Sequence, residues 1–350
     1  MTAVQPSRIT IPDSAIQQGS IVVPLHVLPF TEKSGEPAHK VGIVVALTTP
    51  GDPGQTTGPV LFEFDTGGQG FWANYAGLPK PTGSNTIQIK YDSGIEYIAV
   101  PTALEVAFPE ASAPLSTIAT VALIETITPQ PFPIFGQFYG DFGAALQPTG
   151  TSPELLTVLA QLPYAQGTRG FIVDLGTCPP PHQAGGPARL IVGLTDSLRA
   201  LFPNRLPMTP AQPYTPSAAA TPIPTFGEIL LTAGVVPSGD SNPVSQSVGV
   251  VFDTGAATTV LHAGEHLSKA NLPANNQLFQ LIPTAEQSLA IISVNANEET
   301  SVNQIQLQTK PSPIAYPDGY VNTGLVPFFN YPIMFDLEHG MICFPSTHEG

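Results

Sequence analysis

Two aspartates carry the chemistry this chain can do. Asp65-Thr66-Gly67 closes the apolar run Val60-Leu61-Phe62-Glu63-Phe64, and Asp253-Thr254-Gly255 closes the apolar run Val248-Gly249-Val250-Val251-Phe252. The triplets stand 188 positions apart in a chain of 350 residues, one in each half. A strand that ends on an Asp and a turn, met twice, implies two similar lobes that each give one carboxylate to a shared site. Two carboxyls about 3 Å apart cannot both ionise, so they share a proton. The ionised member can take a proton from water while the protonated member donates to a carbonyl oxygen. The resulting pKa values belong to the pair, and the sequence does not say which Asp holds the proton. Gly67 and Gly255 let backbone amides come close to each carboxylate.

The elements that must position these loops read as strands. Ser20 to Leu25 and Val41 to Leu47 are rich in β-branched residues, as are Tyr97 to Val106 and Thr120 to Ile124. In the second half, Glu228 to Leu231, Ser288 to Val294 and Val302 to Leu307 read the same way. With 40 Pro and 32 Gly, little room is left for long helices. Thr48 to Gly58 is turn chemistry. One helix is expected over Ser152 to Leu162, with Ser152 as cap and Leu155, Leu156, Val158, Leu159 and Leu162 on one face. A short one is expected over Ala263 to Ala270. Pro207 to Pro224 reads as an exposed loop. The lobes divide at a Pro- and Gly-rich connector, Thr177 to Gly186, giving 1–184 and 185–350.

The chain resembles the pepsin-like aspartic proteases, and the likeness extends beyond the two triplets. Trp72, the sole Trp, follows Asp65 by seven positions, as in that family. Tyr91-Asp92-Ser93-Gly94 follows the strand-like Thr86 to Lys90 and is similar to the tip of the family's flap hairpin. Pro133-Ile134-Phe135-Gly136 and Asn322-Thr323-Gly324 resemble the two apolar-apolar-Gly segments that thread behind the Asp loops. Phe335-Asp336 precedes the last strand. The resemblance implies an all-β, bilobal fold and hydrolysis of extended peptides in a cleft, with Asp65 and Asp253 catalytic. It also implies that Thr66 and Thr254 lock the loops together, and that Tyr91 closes over the substrate, hydrogen-bonded to Trp72. Glu63 and Asp92 would bracket the pocket for the substrate residue before the cut, where a substrate Lys or Arg could meet them. A Cys178–Cys343 bridge is left open by the same likeness, against two separate buried thiols.

Some positions depart from the family. Gly68 and Ala256 stand where a Ser or Thr usually donates to the outer carboxylate oxygen. Losing those donors should raise the apparent pKa values of the pair. A second reading follows: an inactive pepsin-like binding module that keeps the cleft for a peptide or protein partner.

Composition excludes other classes. With 11 Lys and Arg against 26 Asp and Glu, the net charge is −15, which disfavours nucleic acid and anionic membrane surfaces. Acid neutralises most of that charge, which suits tolerance of low pH. No cofactor or metal is expected: His262-Ala263-Gly264-Glu265-His266 is not a His-Glu-x-x-His zinc motif. A monomer acting on peptide or unfolded protein is expected. Met1 to Arg8 holds no signal-peptide pattern, so secretion or a periplasmic home would require a leader already removed; otherwise the chain is cytoplasmic.

Overall fold

The computed structural model describes residues 6–16, 19–32, 35, 37–75, 77–80, 85–91, 93–129, 132–180, 182–215, 221–227, 229–236, 244–262, 278–282, 292–295, 305–308 and 320–346. They form an almost entirely β structure with three short helices. The first half folds as β1 (Ile21–Thr31), β2 (Pro37–Thr49), β3 (Asp52–Asp65), β4 (Phe71–Asn74), β5 (Ile87–Lys90), β6 (Glu96–Ala107), β7 (Ser116–Thr128) and β8 (Gly140–Gly143). Next come β9 (Phe171–Asp174), β10 (Ala188–Val192), β11 (Asn204–Pro207), and the short pair β12 (Thr209–Pro210) and β13 (Phe226–Gly227). The second half holds β14 (Ile229–Val236), β15 (Val244–Val251), β16 (Thr259–His262), β17 (Leu278–Ile282), β18 (Ile292–Asn295), β19 (Ile305–Gln308) and β20 (Tyr320–Asn322). It closes with β21 (Ile333–Asp336) and β22 (Met341–Phe344).

The strand that delivers Asp65 shows why the loop is held firmly. Side chains alternate along β3, so Phe62 and Phe64 point into the lobe while Glu63 and Asp65 point the other way. Phe62 and Phe64 are fully buried with Phe71 and Phe142. Phe62 meets Phe71 edge-on at 4.9 Å, and Phe71 lies 5.0 Å from Phe142. Burying such rings contributes several kcal/mol, about 1.5–3 for each side chain.

The two halves repeat one arrangement. β3 pairs in parallel with β8, with Asp65 opposite Gly143, and β8 runs antiparallel to β4, which is parallel to β7. In the second half β15 pairs in parallel with β20, β20 runs antiparallel to β16, and β16 is parallel to β19. The registers make Asp141 and Asn322 equivalent: Asp141 faces Trp72 and Asn322 faces Val260, each seven positions after its own Asp. A further run of strands, β1-β10-β9-β21-β22-β11, joins both halves. On it, Asp174 receives Arg8 at 2.9 Å and Arg189 at 3.2 Å.

Several expectations are corrected. The segment threading beside β3 is Asp141-Phe142-Gly143; Ile134 to Phe138 is instead a tight turn, closed by Phe138 N–H to the Ile134 carbonyl at 2.9 Å. No α-helix forms over 152–162. Leu155 gives its N–H to Thr149 Oγ1 at 2.7 Å and its carbonyl to the Thr149 N–H at 2.9 Å, which removes it from any helical ladder. One 3₁₀ turn, Val158–Gln161, remains. Leu155, Leu156, Thr157, Val158, Leu159 and Ala160 are all buried, more than a single helical stripe would cover. The turn chemistry over 48–58 shrinks to Pro50-Gly51, because bulges at Ala46–Thr49 let β2 and β3 stay paired to Asp52. Cys178 and Cys343 are separate free thiols, which burial pushes up to about 11 and about 12. The expected helix over 263–270 lies outside the described residues.

Candidate active site

Two loops interlock symmetrically. Thr66 Oγ1 donates to the Phe252 carbonyl at 2.6 Å and accepts from Thr254 N–H at 3.0 Å. Thr254 Oγ1 donates to the Phe64 carbonyl at 2.6 Å and accepts from Thr66 N–H at 3.0 Å. Both threonines are buried. Across this lock the carboxyls of Asp65 and Asp253 stand within hydrogen-bond reach of each other. Gly67 and Gly255 are what allow it. A Cβ on Gly67 would lie 2.5 Å from Asp253 Cγ, and one on Gly255 would lie 2.3 Å from Asp65 Cγ.

Each inner oxygen takes two backbone N–H groups from its own loop. Asp65 Oδ1 accepts from Gly67 and Gly68, both at 2.8 Å. Asp253 Oδ1 accepts from Gly255 at 2.6 Å and Ala256 at 3.2 Å. The outer oxygens meet residues that the sequence reading had not placed there. Asn322 Nδ2 donates to Asp253 Oδ2. Asp65 Oδ2 faces a third acid: a Cβ on Gly68 would lie 2.8 Å from Asp65 Oδ2 and 2.9 Å from Asp141 Oδ2. Burial, then Asp253 and Asp141, hold Asp65 well above the usual carboxylate range. Burial and Glu63 do the same to Asp141, against the opposing hydrogen bond from Tyr91. Asp141 Oδ1 is buried with no hydrogen-bond partner among the described residues.

Glu63 shares the cleft-facing side of β3 with Asp65, as alternation required. It does not wait there for a substrate cation. Lys40, on β2, donates to Glu63 Oε1 and to the Gly255 carbonyl, and its Nζ lies 4.9 Å from the centre of the Phe135 ring. Burial alone would lower the Lys40 pKa, but Glu63 and then the two dyad carboxylates hold it above its ordinary value. Lys40 is thus a buried cation beside the dyad, tied to β3 and to the Asp253 loop. The only sequence signal was a lone charge at the head of the apolar run after it.

The flap hairpin is present, with β5 against β6 and Tyr91 N–H donating to the Ile95 carbonyl at 2.9 Å. The expected Tyr91–Trp72 hydrogen bond is not. Tyr91 donates its hydroxyl to Asp141 Oδ2, and the Trp72 indole N–H goes to the nearby Gln69 carbonyl at 2.8 Å. Tyr97 stands between the rings, 5.5 Å from Tyr91 and 6.1 Å from Trp72. Asp92 lies outside the described residues. On the Gly67 side of the dyad a pocket opens, ≈ 530 Å³ with the part open to solvent, lined largely by apolar residues such as Leu146, Met208, Phe226 and Val251. Among the described residues no group of three or more His, Cys, Asp or Glu could hold a metal ion.

Interlocked Asp loops on two repeated lobes define the pepsin-like, bilobal aspartic proteinase fold, and this chain has it. A solved structure to which it is similar is the aspartic proteinase from Irpex lacteus, with TM-score 0.56 and 14% identity over 94% of this chain and 98% of that one. No family model and no curated protein matches the sequence.

Proposed function

We propose that the chain is an aspartic endopeptidase that hydrolyses peptide bonds between its two lobes, 1–184 and 185–350. One observation carries the reading: Asp65 and Asp253 face each other within hydrogen-bond reach over the Thr66–Thr254 lock. Water held between the carboxyls would lose a proton to one and attack a carbonyl protonated by the other. The substrate is an extended peptide or unfolded protein, bound by a monomer. The apolar pocket beside Gly67 suits a large apolar side chain after the cut. Tyr91 and Trp72 support the flap side of the cleft.

A second reading has its own observation. The Lys40–Glu63 pair is buried beside the dyad, and Tyr91 is tied down to Asp141. A site held this way also suits an inactive module that binds a peptide or protein without cutting it. Cleavage of an unfolded protein, followed from about pH 2 to 7 with and without a statine-containing peptide, separates the two. The peptidase reading expects statine-sensitive cleavage, lost in both Asp65→Asn and Asp253→Asn. Binding of the statine peptide with no cleavage at any pH would establish the module.

A further inference from the structure

Where the outer carboxylate oxygens of the dyad are met, the two halves differ at one pair of equivalent positions, Asp141 on β8 and Asn322 on β20. Asn322 has a fixed amide: its Oδ1 accepts the Gly324 N–H at 2.9 Å, so Nδ2 faces Asp253 Oδ2. Asp253 therefore accepts three N–H groups, spread over both oxygens. Asp65 accepts two, both on Oδ1, and its Oδ2 faces the Asp141 carboxyl. Donors favour the ionised form of the acid they reach, while a neighbouring carboxylate disfavours it. We infer that Asp141 and Asn322 are positioning residues that keep the shared proton on the Asp65 side of the dyad, between Asp65 and Asp141, and away from Asp253.

The other charged groups do not reverse this. Lys40, from β2, is tied to Glu63 and the Gly255 carbonyl and acts on both dyad carboxylates. Glu63 likewise faces both Asp65 and Asp253. Tyr91, from the flap, gives its hydroxyl to Asp141. Burial, with Asp253 and Asp141 beside it, also favours the protonated form of Asp65.

On the proposed peptidase reading, the assignment sets the roles. Asp253 takes a proton as the water oxygen forms its bond to the carbonyl carbon. The carbonyl π pair becomes an O–H bond with the proton from Asp65. One proton enters the dyad and one leaves, giving the neutral diol and a dyad whose single proton now sits on Asp253.

The test is a ¹³C carboxyl NMR titration of protein labelled at Asp Cγ, with the two resonances assigned by their loss in Asp65→Asn and Asp253→Asn. The pH profile of kcat/KM is measured alongside. Asp65 is expected to titrate at the higher pH. Asp141→Asn should lower that midpoint, and the alkaline limb of activity, by about one pH unit. Asn322→Ala should raise the acid limb of activity, and Asn322→Gln should recover part of that shift. A merely structural role would reduce kcat with both limbs unmoved, and would overturn the inference. So would Asp253 titrating last. Asn322→Ala and wild type suffice if Asp141→Asn does not fold. An inactive chain in which Asp65 titrates last would sink the peptidase reading and keep the proton assignment; an active chain with the order reversed would do the opposite.

Discussion

Gly68 and Asp141 compete for one volume: a Cβ on Gly68 would lie 2.9 Å from Asp141 Oδ2. The space a hydroxyl side chain would need is filled by a carboxyl from another strand. Adding Ser there does not simply restore a donor to Asp65. Gly68→Ser alone is expected to cost about 1–3 kcal/mol as overpacking. In an Asp141→Ala background the cost should fall but not vanish, because the same Cβ would still lie 2.8 Å from Asp65 Oδ2. Urea unfolding of the four proteins measures the coupling; strictly additive costs would show that the two side chains do not share the space.

Lys40→Met leaves Glu63 buried without its cation, and such a break costs about 3–5 kcal/mol. Replacing both, as Lys40→Met with Glu63→Leu, should recover most of that loss, because an apolar pair needs no partner. If the chain cleaves peptides, the double variant should also gain preference for a large apolar residue before the cut. Denaturant midpoints and a peptide series read the two effects separately.

Thr66→Ala removes one hydroxyl that both donates to Phe252 and accepts from Thr254. With about 1 kcal/mol net per hydrogen bond, a loss near 2 kcal/mol is expected. Thr254→Ala should match it. The four bonds are distinct, so the double variant should cost less than the sum only because loops released by the first loss can relax and hydrate the groups left by the second. Equilibrium unfolding of the three variants checks this; full additivity would mean that the loops do not act as one unit.

Stability should peak in mild acid. Asp65 and Asp141 are raised in the folded state, so the fold takes up protons as pH drops from neutral and gains stability until the ordinary Asp value of about 3.9. Asp336 behaves oppositely. Burial pushes it up, but Arg199 and His339 outweigh burial and hold it low. Its contribution is present above about 3.9 and is lost as pH falls further. Lys40, held high, contributes across the whole range and loses its effect only above about 10.4. Melting temperature should therefore rise from about pH 7.5 to 4.5 and fall below about 3.5. Asp141→Asn should flatten the rise, and Asp336→Asn the fall. A melting temperature that drops steadily from neutral pH would contradict the scheme.

What the sequence disclosed here was local. Asp65-Thr66-Gly67, its counterpart at 253–255, Trp72 and the Tyr91 turn each sit within a few positions of a strand end. Their spacing carries the resemblance to the pepsin-like family, and the two-lobed β fold is read from that resemblance. What it hid was brought together by pairing between distant strands. Asp141 reaches Asp65 only because β8 lies beside β3, and Lys40 reaches Glu63 only because Gly42 on β2 stands opposite Glu63. Ile134-Phe135-Gly136 matched the apolar-apolar-Gly pattern better than Asp141-Phe142-Gly143 did, and the polar residue in the true segment concealed it. The leucine-rich run after Ser152 had helical spacing, yet Thr149 claims the backbone of Leu155 from outside the run.

The repeated order of strands in the two halves has a consequence for symmetry. A pair of identical subunits, each supplying one Asp loop, would present two carboxyls related by a twofold axis and therefore degenerate in energy. Neither could be told from the other until a substrate arrived from one side. Joining the two copies in one chain lifts that constraint, since equivalent positions can then hold different residues. Asp141 and Asn322 differ by an oxygen against an amide nitrogen, and on the assignment proposed above that difference would give the site a direction before any peptide enters.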